Sequence, residues 1–329
     1  MKSRSVLVTG GAGYVGSHGC QALANAGYEP IVYDNLSRGH PDAVRWGPLV
    51  IGDLRDTSLL VETMRAHSVG AVMHFAALAY VGEAVNHPEL YYHNNVGGTL
   101  SLLSAIRQAG VNALVFSSTC AVYGIPAQVP ISENNPLLPV NPYGETKLAM
   151  ERALHWYGQA YGLRSVSLRY FNAAGADPGG EIGERHDPET HLIPLAIRAA
   201  LDKSRPLDVY GTDYPTPDGT AVRDYIHVSD LAEAHVGAVA YLAGDGVSTA
   251  VDLGTGNGHS VREVIDAVER VSGRSVARRY AARRPGDPPS LVADSTHAVS
   301  LLRWQASRSD IDTIVKTALA WDGAVTSHK

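Results

Sequence analysis

The sequence predicts a doubly wound α/β fold, on three observations. Six short apolar runs alternate with longer amphipathic segments through the first half of the chain. A glycine-rich turn joins the first run to the first amphipathic segment. Beyond about Arg169 the pattern breaks into shorter, more irregular pieces.

The runs Ser5–Thr9, Ile31–Tyr33, Leu49–Gly52, Ala71–Phe75, Ala113–Ser117 and Ser165–Arg169 are continuously apolar, as strands buried on both faces must be. Between them, Tyr14–Ala26, Ser58–His67, Leu90–Gln108 and Pro142–Tyr161 read as amphipathic helices. Such alternation implies a parallel sheet with helices on both faces. A loop rich in glycine, proline and charge (Gly175–Glu189) then leads to helices expected near Leu192–Asp202, Asp230–Ala243, Val261–Ser272 and Asp310–Trp321. The expected organisation is a Rossmann-type domain over residues 1–172 and a smaller mixed α/β substrate domain over 173–329. The boundary is soft, and segments can cross it.

Composition narrows the function classes. The 329 residues suit two domains at roughly 150 each. Lys plus Arg is 27 against 33 Asp plus Glu, a net charge of −6 with no basic stripe, which argues against nucleic-acid binding. No uninterrupted apolar run approaches ~20 residues, so no membrane span is expected. Two cysteines, Cys20 and Cys120, exclude a disulfide scaffold or a Cys-rich zinc module. The opening MKSRSVLVTGG runs straight into a strand, so no signal peptide is expected and a cytoplasmic location follows.

VLVTGGAGYVGSHGC sets Gly10, Gly13 and Gly16 between the first strand and the first helix. The first permits a tight turn, the second lets backbone approach a pyrophosphate, and the third lets helix and strand pack closely. Three glycines alone are a weak signal; their strand–turn–helix context makes them a dinucleotide cradle. Tyr33-Asp34-Asn35 closes the second strand at the ~20-residue distance where a carboxylate accepts from the adenosine ribose. That carboxylate repels a 2′-phosphate, so NAD is favoured over NADP, and Arg38 is expected to be solvated. Asp53 suits the adenine, or else a cap on the helix after it.

Asn141-Pro142-Tyr143-Gly144-Glu145-Thr146-Lys147 puts Tyr143 and Lys147 one helical turn apart on one face. A tyrosine of free pKa ~10 acts as a base only beside a cation, which Lys147 and an oxidised nicotinamide would supply. The third member is expected at the end of the fifth strand, where FSSTCAVYG offers Ser117, Ser118 and Thr119.

These motifs, with VYDNLSRG, HFAALAYVGEA, YYHNNVGGT, RYFNAAGADPGG, GTDYPTPDGT, VRDYIHVSDLA and RRPGD, run along nearly the whole chain. The sequence resembles the extended short-chain dehydrogenase/reductases, and among them the UDP-glucose 4-epimerases. The resemblance implies catalytic roles for Thr119, Tyr143 and Lys147. It implies cofactor contacts at Tyr14, Val15, Leu54, Phe75, Ala76, Ala77, Asn94, Ser117 and Tyr170 beside the cradle residues. For the substrate it implies Asn172, Arg223 and Arg284 on the diphosphate and Asp287 on the uridine ribose, with Phe171, Leu192, Tyr210 and Tyr225 around them. Planar arginine forks suit a pyrophosphate. His191 falls where some members have an asparagine near the phosphates, Ala79 where some have a cofactor-contacting lysine, and Leu291 where some have a tyrosine that narrows the sugar pocket.

The implied reaction is 4-epimerisation of UDP-glucose and UDP-galactose through a transient UDP-4-keto-hexose, with hydride passing to and from tightly bound NAD. A UDP-xylose/UDP-arabinose or broad-specificity 4-epimerase is the alternative, since AYVGE and SSTC are shared with those relatives. A nucleotide-sugar dehydratase needs acidic residues after the Ser/Thr, where Cys120-Ala121 stand; a non-catalytic NAD-binding regulator typically loses the Tyr or Lys. Glu184, His186, Asp187 and His191 lie in an irregular loop without i, i+4 helical spacing, so no metal is expected. Cys120 is expected to be a buried structural thiol. By analogy, helices containing Leu90–Gln108 and Pro142–Tyr161 form the core of a homodimer.

Overall fold

The computed structural model of the chain describes residues 3–284 and 286–327. The first half lays down strands β1 (Ser5–Thr9), β2 (Glu29–Asp34), β3 (Leu49–Ile51), β4 (Ala71–His74), β5 (Ala113–Ser117) and β6 (Arg164–Tyr170). Its helices are α1 (Tyr14–Asn25), α2 (Thr57–Ala66), α3 (Val81–Asn86), α4 (Pro88–Tyr91), α5 (Gly98–Ala109) and α6 (Pro142–Tyr161). The second half adds β7 (Asn172–Ala174), α7 (Leu192–Leu201), β8 (Leu207–Tyr210), β9 (Val222–His227), α8 (Val228–Ala243), β10 (Thr249–Leu253) and β11 (Gly258–Ser260). It ends with α9 (Val261–Ser272), β12 (Arg278–Ala281), β13 (Ser290–Leu291), α10 (Thr296–Leu302) and α11 (Ile311–Ser327).

Seven parallel strands form one sheet in the order β10-β6-β5-β4-β1-β2-β3. The two-residue period of β1 explains why continuous apolar runs were required. Val6 and Val8 enter a core on one face with Leu23, Leu231 and Val239, while Leu7 enters the opposite core with Leu60, Leu102 and Leu154. Each such buried side chain contributes roughly 1.5–3 kcal/mol of transfer free energy. The seventh strand comes from the later part of the chain: β10 pairs with β6 from Thr249↔Val166 to Leu253↔Tyr170, and α8 packs along α1.

The rest of the second half packs round a third core built from α7, α9 and α11, including Ile197, Val268 and Ile314. A capping box starts α9, Ser260 and Glu263 satisfying each other's backbone amides. Strand β9 pairs with β7, β11 and β13 in a separate small sheet, from which Arg223 and Leu291 reach the cleft. Among the described residues no helix is long and apolar enough to cross a membrane.

Two expected helices differ in the structure. Leu90–Gln108 is not one helix: α4 and α5 are joined by a π-helical turn over Tyr92–Gly97. That wider turn leaves Asn94 half-buried on the cleft wall and buries Asn95 completely. The last helix continues past Trp321 to Ser327.

Candidate active site

The strand order reverses between β1 and β4, and the crevice beyond their carboxyl ends is the standard dinucleotide position of a doubly wound sheet. Gly10 ends β1 with φ +74°, and a Cβ there would meet the Ala76 nitrogen at 2.6 Å. At Gly16 a Cβ would lie 2.1 Å from the Gly10 carbonyl oxygen. The glycine loop therefore presses against both β4 and α1, leaving the α1 N-terminus open toward the crevice. Asp34, at the end of β2, is buried and accepts from the amides of Ala12 (3.0 Å) and Leu36 (2.8 Å). Its carboxylate so holds the cradle loop against the strand, and each oxygen keeps a lone pair for a sugar hydroxyl.

Asp53 does not cap the following helix; Asp56 does, accepting from the Leu59 amide at 3.0 Å. Asp53 instead takes two hydrogen bonds from the Arg55 guanidinium, which hold it well below the usual carboxylate range, and one from Asn35. Arg38 is not simply solvated. It pairs with Glu83 at 2.7 Å and lies over the Tyr80 ring, joining the cradle side to α3.

Helix α6 sets the reactive pair. Asn141 caps it by accepting from the Gly144 amide at 2.9 Å, and Pro142 occupies its first turn. Tyr143 consequently sits in the first turn, and Lys147 follows one turn later. Thr119 lies just past β5, buried, and its hydrogen bond to the Tyr143 phenol favours the phenolate. The Lys147 ammonium donates to the Ser117 carbonyl at 2.7 Å and lies 5.8 Å from the centre of the Tyr143 ring. The Ser117 and Tyr170 hydroxyls are 2.6 Å apart.

Burial dominates the electrostatics of this pair. It pushes the Tyr143 phenol up despite Thr119, with neighbouring Tyr170 adding to the rise. Of the two cations expected to lower it, Lys147 and an oxidised nicotinamide, the lysine is itself weakened: burial pulls Lys147 down, to about 7, so its charge is reduced near neutrality. The folded chain sheds this proton near 7, whereas the unfolded chain holds it to the ordinary value of 10.5. The penalty of burying the ammonium is thus full below about 7 and fades as pH rises toward 10.5. Thermal midpoints measured across that window should rise more for the wild type than for Lys147→Met.

The second half supplies the opposite wall. Arg223 donates to Asp287 at 2.5 Å, so the two expected ligand groups already orient each other. Arg284 is exposed, its guanidinium 4.1 Å from the Tyr210 ring centre. Asn172 donates to the Asp224 carbonyl at 3.1 Å, and Tyr225 and Phe171 are buried beneath. His191 precedes α7, and Leu192 is its first residue. Burial opposes a charge on His191, but Glu184 and Glu189 overcome that and hold its pKa up at about 10.

The proposed cofactor and substrate residues line one cleft of about 1470 Å³, with Lys147 set behind its wall. Val15, Leu54, Phe75, Ala76 and Ala77 are on the cradle side of it. Cys120 is buried, and its thiol is pushed up to about 12, which makes it a poor nucleophile. Sequence reasoning missed Asn95, whose side chain bonds Leu78 through both amide atoms and reaches Thr146 on α6. It also missed Glu151, buried between Ser118 (2.5 Å) and Arg169 (2.6 Å). Its position four residues after Lys147, on the same helix face, was the available signal. Asp187 is not part of the acidic and imidazole group in the loop; Glu189 is, beside Glu184, His186 and His191.

The chain is similar to known proteins along nearly its whole length. Residues 6–254 match the NAD dependent epimerase/dehydratase family. UDP-glucose 4-epimerase of Rhizobium meliloti is 54% identical over 321 residues, 98% of each chain. The crystal structure of UDP-glucose 4-epimerase from Brucella ovis in complex with NAD superposes with a TM-score of 0.94 at 56% identity, covering 96% of this chain and 97% of that one. That of UDP-glucose-4-epimerase from Stenotrophomonas maltophila, with bound NAD and formylated UDP-arabinopyranose, has a TM-score of 0.95 at 39% identity over 99% of both chains.

Proposed function

The chain belongs to the NAD dependent epimerase/dehydratase family, and from that premise we infer that it is a UDP-glucose 4-epimerase using NAD as its resident cofactor. The observation that carries the reading is the single cleft in which Thr119 and Tyr143 lie between the glycine cradle and the Arg223–Arg284 wall. The cradle fits the cofactor on its own geometry, because Cβ atoms at Gly10 and Gly16 would fill the space that lets the loop close.

When bound, NAD would supply reversible hydride-acceptor chemistry for sugar C4, held by the glycine cradle, Asp34 and Lys147. Tyr143 takes and gives back the proton of the 4-hydroxyl, with Thr119 orienting that hydroxyl. Lys147 holds the nicotinamide ribose and stabilises the phenolate. Buried as Tyr143 is, its phenolate forms only when a positive charge is close, which Lys147 and an oxidised nicotinamide would supply. Arg223 and Arg284 anchor the diphosphate and Asp287 the uridine ribose, leaving the hexose lightly held and free to turn.

Leu291 lines the same cleft. Its size supports a sugar pocket wide enough for N-acetylhexosamines. Leu291→Tyr is expected to suppress conversion of UDP-N-acetylglucosamine by tenfold or more, an effect of the order of one to two misfit contacts, while UDP-glucose turnover changes little. Chromatography of products from each UDP sugar tests both this and the main assignment: UDP-glucose must yield UDP-galactose.

We place the protein in the cytoplasm, in galactose and carbohydrate metabolism, as a homodimer. Its two cysteines are free and buried, which suits a reducing compartment. Leu100 on α5 and Trp156 and Tyr161 on α6 are exposed at 43%, 67% and 59%, an apolar surface suited to a second copy. Light scattering on the purified chain tests this, and a monomer would overturn it.

A further inference from the structure

We propose that Glu184, His186, Glu189 and His191 form a binding site for one divalent transition-metal ion of the zinc class. The four side chains each present a ligand atom, all within 4.8 Å of one another. Tetrahedral zinc bonds of roughly 2.0–2.2 Å set neighbouring ligand atoms about 3.3–3.6 Å apart. The distances here bracket that spacing. Glu184 Oε1 is 2.8 Å from His186 Nδ1 and 2.6 Å from His191 Nδ1, and Glu189 Oε1 is 3.1 Å from His191 Nδ1 and 4.0 Å from His186 Nδ1.

A second observation points to a missing partner. The Glu189 side chain is 1% exposed, yet its Oε2 has no hydrogen-bond partner among the described residues. Its Oε1 is already engaged, accepting from the amides of Thr190 and His191 and facing the His191 ring. A buried carboxylate oxygen left unpaired costs free energy unless a cation or donor meets it.

Charge balance selects the ion. Glu184 and Glu189 place two nearly buried carboxylates together, at 7% and 1% exposure. The nearby arginines are engaged elsewhere: Arg185 pairs with Asp42, and Arg38 with Glu83. One divalent cation, taking the place of the proton that His191 otherwise holds between the two glutamates, leaves both imidazoles neutral and neutralises the group. Two nitrogen ligands exclude a preference for magnesium or calcium, which take oxygen, and favour zinc or its neighbours. The residues are held before any ion binds, since Trp321 of α11 donates to the Glu184 carbonyl at 3.0 Å and the His40 ring lies 2.9 Å from the Arg185 carbonyl. The ion would fasten this loop to the start of α7, on the wall of the cleft.

The test uses untagged, full-length, NAD-loaded protein stripped of metal with a chelator and titrated with Zn²⁺ or Co²⁺. Elemental analysis after gel filtration should find one zinc per chain. Co²⁺ should give the strong visible absorption of a tetrahedral nitrogen–oxygen site. Glu189→Gln and His186→Ala should each weaken zinc binding on the order of 100-fold. Failure of the wild type to retain zinc, or a pale octahedral cobalt spectrum, would overturn the proposal whatever the variants do. Unchanged zinc affinity in both variants would do the same, assigning the metal to surface histidines.

Discussion

Tyr143→Phe is expected to reduce turnover by about 10²–10⁴-fold, the usual contribution of a positioned acid–base group. The ring still fills its place beside Lys147 and among Ala84 and Tyr91, so folding and NAD binding should persist. Only the hydroxyl that bonds Thr119 is lost. The reading separates chemistry from assembly: NAD content and thermal midpoint should stay near wild type while UDP-galactose formation collapses. Near-wild-type turnover would sink the assignment of Tyr143 as the base.

The other large effect belongs to the cradle. Gly16→Ala forces a methyl carbon to within 2.1 Å of the Gly10 carbonyl oxygen, far inside van der Waals contact, and the obstacle is backbone. Gly10 has little room on its other side, since even a Cβ there would meet the Ala76 nitrogen at 2.6 Å, just past β4. Something must open, and α1 moving off the sheet is the available route. We expect the variant to lose bound NAD and to fall by several degrees in thermal midpoint, as overpacking typically costs 1–3 kcal/mol. Gly82→Ala is the control, since nothing lies within 4 Å of its added carbon. A Gly16→Ala protein that keeps its full complement of NAD would refute the account of the loop.

Most of the frame was legible because its signals are local. Continuous apolar runs announced β1, β5 and their neighbours, and the Asn141–Pro142 start of α6 fixed the phase of Tyr143 and Lys147. The π-helical turn at Tyr92–Gly97 was not legible, since one inserted residue barely disturbs amphipathic spacing over twenty positions. Contacts between residues far apart in sequence left no local trace either. Arg169 bonds both Glu151 and Tyr123, and Tyr123 reaches Asp252, 129 residues away. In the loop after Gly175 nothing periodic distinguishes Glu189 from Asp187, so sequence picked the wrong acid for the group around His191.

The pairing of β10 with β6, the packing of α8 on α1 and the 2.6 Å hydrogen bond from the Tyr14 hydroxyl to the Gly175 carbonyl tie both walls of the cleft into one frame. On the proposed function, retention of the oxidised sugar would fall to the groups proposed to hold the diphosphate, Arg223 and Arg284, on the far wall of the cleft. A keto sugar that left before the hydride was given back would leave that molecule of enzyme unable to begin another cycle. Loosening Arg284 would therefore show itself less as slow catalysis than as progressive self-inactivation, a burst of product that fades as stalled enzyme accumulates.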